Sequence, residues 1–270
     1  FMVEFFVALL LIFNGGYLLD DFHGLWGVGM LPGWVAVPLT VVAAVGIINA
    51  INLIDGVNGL SSGYCITACT MFGTLFYLSG DMKMTILAVV SVGALIPFFL
   101  HNVFGKTSKM FIGDGGTLVM GVVITVFVIE TLRSGSACGA YVGPEVGLIP
   151  FSLAVLCIPV FDTLRVMFSR ILRGTSPFRP DKTHLHHMFI SLGASHAATM
   201  LAIVLLNTSV VFCWWALMEA GASLSVQLYA VVGMGLLVTF GLYHFLEWHL
   251  RHRTRLLRFM RRLGYRMHLS

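Results

Sequence analysis

The sequence predicts an all-α polytopic membrane protein with about eight transmembrane helices in this chain. Hydrophobic residues make up 58% of the 270 residues, and the mean hydropathy is +0.92. Charged residues account for only 10%, whereas a soluble domain carries about 25%. This balance excludes a soluble enzyme, a disordered chain and a fibrous repeat. The five cysteines lie in apolar runs and form neither a disulfide framework nor a CxxC metal pair.

The predicted spans follow from apolar runs of about 20 residues, the length that crosses a bilayer as a helix. We expect a transmembrane helical domain over residues 1–246 and a basic cytoplasmic tail over 247–270. The chain opens at Phe1 inside an apolar run without the features of a signal peptide, so we expect further native spans upstream. The eight predicted spans are 1–18, 35–53, 61–79, 84–101, 117–133, 147–167, 196–218 and 226–246.

The distribution of Lys and Arg predicts the orientation. With the segment after the second span inside, 14 of the 16 basic residues are cytoplasmic, and only Lys83 and Arg133 remain outside. Three polar segments then lie on the cytoplasmic side: 49–60, 101–118 and 176–187. We therefore expect one site at this membrane face.

The first polar segment reads NAINLIDGVNGL. Asn49, Asn52 and Asp55 are spaced by three residues, so on a helix they share one face. Gly56 and Gly59 permit a turn or a close approach to a ligand. One interpretation is a helix end with capping side chains. We favour a functional site, because a carboxylate within a span costs about 2.5–3.5 kcal/mol.

The second segment contains MFIGDGGT and places Asp114 among glycines at the mouth of an apolar span. This arrangement suits Mg²⁺, which prefers one or two carboxylates together with substrate phosphates. The backbone amides of the following helix can contact diphosphate oxygens. The alternative is that Asp114 simply caps the fifth span, and the two roles are compatible. Asn102 could either cap or bind, while Lys106 and Lys109 are interpreted as topology charges.

The third segment, SPFRPDKTHLHH, places three of the ten histidines within four residues. An HxHH spacing is too tight for all three rings to bind one ion from a helix, so zinc is disfavoured. We predict an anion pocket in which the histidines act with Arg179 and Lys182. The alternative is a solvated basic loop near lipid headgroups. The histidines are His184, His186 and His187.

Other charged residues have mainly structural interpretations. Asp162 and Arg165 are three apart, so an ion pair that supports the bundle is the plain explanation, with an indirect role at the site as the alternative. Asp20 and Asp21 are predicted to lie on the outer face, in an interfacial loop. The seven arginines of the tail suggest a helix on anionic lipid, and nucleic acid is an improbable partner.

Together the three segments resemble the polyprenyl-phosphate N-acetylhexosamine-1-phosphate transferase family, in order and in approximate separation. HxHH preceded by SPFxPD resembles the branch that transfers N-acetylglucosamine-1-phosphate to undecaprenyl phosphate. The resemblance covers essentially the whole chain. There are two departures: Asn58 replaces a frequently acidic residue, and the family's first aspartate-rich motif would lie upstream of Phe1. Asp20 and Asp21 cannot replace that motif, because Gly24 stands where a third acid is expected.

The resemblance implies roles for the candidate residues. Asp114 would be the carboxylate on Mg²⁺ (or Mn²⁺), with Asn52 as a nearby polar ligand. The nucleotide and the lipid phosphate would lie against Asn49, Asp55 and Asn102. The diphosphate and sugar would be held by Arg179 and by His184, His186 and His187. Asp55, Asp114 and the three histidines are thus the candidate catalytic residues.

The expected protein is a Mg²⁺-dependent phosphoglycosyltransferase of the bacterial cytoplasmic membrane, with a cytoplasmic active site. It would transfer N-acetylhexosamine-1-phosphate from a UDP-N-acetylhexosamine to undecaprenyl phosphate and release UMP, as the first membrane step of a cell-surface glycan pathway. Membrane lipid is a further expected partner, and a homodimer is left open. The alternative is a transporter or proton-coupled carrier, which is disfavoured because the ionisable residues lie at one face and no internal repeat is evident.

Overall fold

The computed structural model describes residues 2–105, 112–177 and 183–252, and within these ranges the chain is built from helices joined by short loops. The predicted all-α class is confirmed. A single isolated bridge, Asp21 to Met30, is the one strand-like pairing in the described ranges. The α-helices are α1 (Met2–Phe13), α2 (Gly33–Leu53), α3 (Leu60–Leu78), α4 (Met82–Phe104), α5 (Gly113–Leu132), α6 (Ala137–Tyr141), α7 (Leu148–Val155), α8 (Cys157–Leu172), α9 (Leu185–Ser191), α10 (His196–Glu219), α11 (Leu224–Leu236) and α12 (Leu242–Arg251).

The helices confirm a polytopic membrane protein. Among the described residues, five helices are long and apolar enough to cross a membrane, and a sixth results if α7 and α8 form one bent span. The prediction of about eight also counted the run 1–18, which forms the 12-residue α1, and the run 61–79, which forms the 19-residue α3. The proposed boundary between residues 246 and 247 falls inside α12, and most of the basic tail lies outside the described residues.

A close contact between α2 and α5 aligns two of the polar segments. A Cβ on Gly121 would lie 2.8 Å from the Cα of Ile48, so only glycine lets the two backbones approach this closely. The pairing continues to the ends of the helices, where the Thr117 hydroxyl donates to Oδ1 of Asn52. Asp114, one helical turn before Thr117, is thereby brought to the end of α2.

The centre of the bundle is a cluster of aromatic side chains. They come from four different helices, so their burial connects parts of the chain that are far apart in sequence. Adjacent ring centroids in the cluster lie 5.1–6.4 Å apart, within the range of favourable aromatic pairs. The cluster consists of Phe72 and Phe76 of α3, Phe127 of α5, Phe151 of α7 and Trp214 of α10.

The predicted sixth span is not straight: α7 and α8 meet at an angle of 73°. Pro159 has no N–H, so the carbonyl of Val155 loses its helical donor. The Tyr64 hydroxyl donates to that oxygen at 2.6 Å, and Nδ2 of Asn207 donates to it at 2.8 Å. Oδ1 of Asn207 accepts from the backbone N–H of Ile158 at 2.9 Å. Two side chains from other helices thus satisfy the backbone at the break, which directs α8 toward the polar segments.

Asn207→Leu is expected to lower the stability of the protein by about 1–3 kcal/mol. Leucine has a similar volume but leaves the Ile158 N–H without a partner inside the bundle, and a buried unsatisfied donor costs about that much. The measurement is thermal unfolding of the purified protein in detergent. Ser209→Ala is the matched control on the same helix, because that exposed hydroxyl donates to the carbonyl of Leu206 in its own helix. Equal melting temperatures for the two variants would contradict this account of the break.

Candidate active site

A large cavity collects most of the predicted site residues. Its volume is about 1220 Å³, and it extends along α2 from the residues that precede this helix to the turn that follows it. All predicted site residues that the structure describes line it, except Asn102. Arg179 and Lys182 lie outside the described residues. The polar wall consists of Asn49, Asn52, Asp55, Asp114, Arg170, His184, His186 and His187.

The end of α2 supplies the first part of the polar wall. Asn49 donates from Nδ2 to Oε2 of the buried Glu4 at 2.7 Å and to the carbonyl of Val45 at 2.8 Å, so its amide is held in one orientation. Asn52 accepts from Thr117 at 2.5 Å. The helix ends at Leu53, so the predicted helical stripe through Asp55 is wrong in detail: Asp55 lies in the turn that follows. The turn nevertheless keeps all three side chains on the cavity wall.

Asp55 is a half-buried carboxylate with an altered acidity. Burial raises the pKa of the Asp55 carboxyl; the hydrogen bond from the Ser61 hydroxyl, at 2.8 Å, opposes the rise, and the negative charge of Asp114 adds to it. The effect of Asp114 means that two acids from separate segments are electrostatic neighbours. Like charges placed together favour a bound cation.

Asp114 occupies the first turn of α5 and is exposed to the cavity. The alternative interpretation, that it caps the fifth span, is wrong, because the helix begins at Gly113 and its N-cap residue is Ile112. The Asp114 carboxylate is therefore not the N-cap of this helix. It also lies at the helix end where the macrodipole favours anions such as phosphate.

The donors at this end of the cavity fit Mg²⁺. Mg²⁺ binds through one or two carboxylates plus phosphates and waters, and Asp114 with Asp55 provides such a pair. Asn52 is a weaker donor, because Oδ1 already accepts from Thr117 and keeps one lone pair. In the described ranges no group of three His, Cys, Asp or Glu side chains could hold a metal ion, so a closed zinc-type site is not formed there.

The histidine cluster lines the same cavity around the start of α9. Nδ1 of His184 lies 2.9 Å from Oδ2 of Asp162 in α8. The rings of His184 and His186 are parallel, with centroids 5.8 Å apart, and the rings of His186 and His187 are 4.2 Å apart. The three histidines therefore form one packed group whose members cannot turn independently.

His186 is the neutral member of the group. Burial, together with the charges of His187 and His184, lowers the pKa of His186 to about 3. At neutral pH its ring therefore carries no charge, and it cannot contribute the cationic character predicted for this segment. Its Nε2 is buried, has no hydrogen-bond partner among the described residues, and faces Gly56.

Asn102 and Asn58 have supporting positions. Oδ1 of Asn102 accepts from the backbone N–H of Gly59 at 2.5 Å, which ties the end of α4 to the turn after α2. Asn102 is buried outside the cavity wall, so contact with substrate remains a prediction for this residue. The backbone N–H of Asn58 donates to Nδ1 of His196 at 3.1 Å.

Arg170 is a cavity residue that sequence reasoning treated only as a topology charge. Its side chain is buried, and Nη1 donates to the carbonyl of Pro177 at 2.6 Å. The sequence contained a signal for this position of Arg170. One face of the helix, at the spacing i, i+3, i+4, i+7, carries Thr163, Val166, Met167 and Arg170. All four line the cavity. A buried guanidinium at the polar end can bind a phosphate by two parallel hydrogen bonds.

Asp20 and Asp21, which were predicted to be structural, accept hydrogen bonds from loop residues. Asp20 accepts from the backbone N–H and the hydroxyl of Ser134, at 2.7 and 2.8 Å, and Asp21 accepts from the N–H of His23 at 2.8 Å. Ser134 follows the last turn of α5, whereas Asp114 is in its first turn. The rise of an α-helix places these two ends about 30 Å apart.

Comparison with known proteins gives consistent matches. The sequence model of the family described as glycosyl transferase family 4 matches residues 1–132. A probable undecaprenyl-phosphate N-acetylglucosaminyl 1-phosphate transferase of Bacillus subtilis is 32% identical over 212 residues, which cover 77% of this chain and 55% of that protein. The undecaprenyl-phosphate alpha-N-acetylglucosaminyl 1-phosphate transferase of Escherichia coli K12 is 27% identical, over 73% of this chain and 52% of that protein.

A third relative is the decaprenyl-phosphate N-acetylglucosaminephosphotransferase of Mycolicibacterium smegmatis. It is 36% identical over 180 residues, which cover 62% of this chain and 43% of that protein. The chain spans about half the length of the curated relatives that it matches.

Proposed function

We propose that this chain, whose residues 1–132 match the model of glycosyl transferase family 4, transfers N-acetylglucosamine-1-phosphate from UDP-N-acetylglucosamine to undecaprenyl phosphate. An oxygen of the lipid phosphate attacks the sugar-linked phosphorus of the UDP-sugar. The bond from this phosphorus to the bridging oxygen of the diphosphate breaks, and UMP leaves. The product is a lipid-diphosphate sugar. The single observation that carries the proposal is one cavity that joins an acidic and basic polar end to a long apolar wall.

The polar end supplies groups of both signs for binding phosphates. Asp55 and Asp114 line the cavity together with the buried Arg170 and the histidine cluster. Phosphoryl transfer depends mainly on positioning the reacting groups and on stabilising the charge on the phosphate oxygens. In this proposal Arg170 and His184 bind phosphate oxygens, and Asn49 orients the substrate.

The same proposal includes a Mg²⁺ ion at the polar end of the cavity. Asp114 and Asp55 would hold it, with Asn52 beside them. A bound Mg²⁺ supplies electrostatic stabilisation of the phosphate oxygens. Without a cation, the two acids would repel the phosphates that the reaction must bring together.

The apolar wall fits a polyprenyl acceptor. It extends along α2 and α8 from the polar end as far as Leu25 and Trp26, close to the opposite end of the helices. Along α2 alone, the residues from Leu39 to Asn52 span about 20 Å. A lipid phosphate can therefore place its headgroup among the acids and the arginine while its chain stays on apolar side chains. These wall residues include Leu39, Val42, Ala43, Ile47, Leu153, Leu156, Val160 and Leu164.

We place the active site on the cytoplasmic side of the bacterial inner membrane. The basic residues at this end of the helices, Arg170 and Arg173 among them, support that orientation by the positive-inside rule. A cytoplasmic site is also the one with access to a nucleotide sugar.

The expected result of a transfer assay is an organic-soluble labelled lipid. Membranes that contain the intact protein are incubated with UDP-N-acetylglucosamine labelled in the sugar, undecaprenyl phosphate and Mg²⁺, and the label is partitioned between solvent and water. UMP should be released in equal amount. Membranes without the protein are the control. Label that remains water-soluble and enclosed in vesicles would instead favour the transporter alternative and contradict the proposal.

A further inference from the structure

Asp162 is not part of the cavity wall, but it contacts the histidine cluster through His184. Its carboxylate is buried and is not part of the cavity lining. Oδ2 lies 2.9 Å from Nδ1 of His184 and accepts from the backbone N–H of Leu185 at 3.1 Å. One carboxylate therefore holds both the ring of His184 and the first residue of α9.

Arg165 orients this carboxylate. Its Nη2 and Nε donate to Oδ1 of Asp162 at 2.8 and 3.2 Å, and Nη2 also donates to the carbonyl of Thr183 at 2.5 Å. The guanidinium lies over the ring of Tyr243, 3.8 Å from its centroid. Residues of α8 and α12 therefore support the segment that carries the histidines, and the plain ion pair predicted from sequence has an additional partner in His184.

The contacts determine the tautomer of His184. Paired with Arg165, the Asp162 carboxylate only accepts hydrogen bonds, so the proton of the imidazole must lie on Nδ1. The other ring nitrogen, Nε2, is then available to the cavity that His184 lines. A histidine whose ring is fixed in this way needs no reorientation when substrate binds.

We propose that Asp162 is a positioning residue for the transfer reaction: it holds His184 with Nδ1 protonated, so that a second proton on Nε2 makes the ring a cationic donor to the substrate phosphates. This inference rests on the proposed function of the cavity. Arg165 acts indirectly: it holds the Asp162 carboxylate in place and does not line the cavity.

Asp162→Asn reverses the direction of the hydrogen bond to Nδ1 of His184 with little change in the shape of the side chain. Arg165 offers only donors, so the amide oxygen must face Arg165 and the amide NH₂ must face Nδ1 of His184. Nδ1 must then accept a hydrogen bond, so the imidazole can carry only one proton, on Nε2, and it loses the positive charge that would face the phosphates. We expect kcat to fall about 10- to 100-fold, the usual loss when an orienting partner is removed. The KM for UDP-N-acetylglucosamine should change less than about threefold, because the nucleotide contacts remain.

A double-mutant cycle with His184→Gln separates positioning from general support of the fold. If Asp162 acts through His184, then Asp162→Asn should cause no further loss of kcat in the His184→Gln background. Independent multiplication of the two losses would overturn the inference, and so would normal kcat for Asp162→Asn alone. A wild-type protein that forms no labelled lipid would instead refute the proposed function on which the inference rests.

The matched control is Asp81→Asn. Oδ1 of Asp81 accepts from the backbone N–H of Met84 at the start of α4, at 3.1 Å, and the residue has no place in the cavity. Its variant should keep kcat within about twofold, because Asn caps a helix as well as Asp does. If Asp162→Asn does not accumulate in membranes, Arg165→Lys replaces it in the cycle. Its smaller loss of kcat, about 10-fold, should likewise disappear in the His184→Gln background.

Discussion

Asp114→Asn is expected to reduce transfer activity by at least about 10³-fold at saturating substrates. Asparagine keeps the size of the side chain but removes the charge that binds Mg²⁺ in the proposed site. A bound metal stabilises phosphate charge by several kcal/mol, and a loss of about 4 kcal/mol corresponds to 10³-fold in rate. The measurement is the initial rate of labelled lipid formation as a function of Mg²⁺ concentration. Chelation of the metal from the wild-type protein should give a similar loss, reversed by Mg²⁺ or Mn²⁺.

The matched control is Asp21→Asn, an acid at the opposite end of the bundle that accepts from its own loop. Its rate and its Mg²⁺ dependence should equal those of the wild type. Near-normal turnover of Asp114→Asn at saturating Mg²⁺ would refute the metal role of Asp114. The same result would leave the transfer reaction itself in place, because the lipid product would still form.

Gly56→Ala is expected to lower kcat by about 10²-fold with little effect on folding. A Cβ at this position would lie 2.5 Å from Nε2 of His186, so the imidazole must move. His186 is buried against the rings of His184 and His187, so its displacement moves the other histidines as well. A misplacement of about 1 Å in a catalytic group can cost about 10²-fold in rate. The comparison is kcat and melting temperature of the variant against the wild type.

The control for this substitution is Gly93→Ala in α4. A Cβ there meets nothing within 4 Å, and alanine favours a helix by about 1 kcal/mol over glycine. This variant should keep full activity and gain slightly in melting temperature. Full activity of Gly56→Ala would contradict the view that the close contact between the turn after α2 and the histidine cluster matters for turnover.

Much of the candidate site could be predicted from sequence, because its chemistry is carried by short segments. Polar residues are costly inside a bilayer, so an acid or a histidine cluster next to an apolar run signals a function. The convergence of Asp55, Asp114 and His184 on one cavity follows from counting spans and placing the loops on one side. The span count differs from the prediction, since α1 is short and α3 carries polar residues in its first turn.

The parts that were missed depend on contacts between residues far apart in the chain. At the break between α7 and α8, Tyr64 and Asn207 both donate to the carbonyl of Val155. Arg170 reaches the cavity wall only because of the direction that α8 takes after this break. A neutral His186 follows from burial, which no local pattern reveals.

By itself, the sequence determined that this protein is a helical membrane protein and that three polar segments share one face. Those properties follow from the cost of polar groups in hydrocarbon, which acts on each segment locally. Only the tertiary structure decided which polar groups contact one another. The pairing of Asp162 with His184 and the approach of Gly56 to His186 arise from helix packing across more than 20 and more than 100 residues of chain, respectively. Packing of this kind depends on the shapes of many side chains at once, so it is not encoded in any single segment.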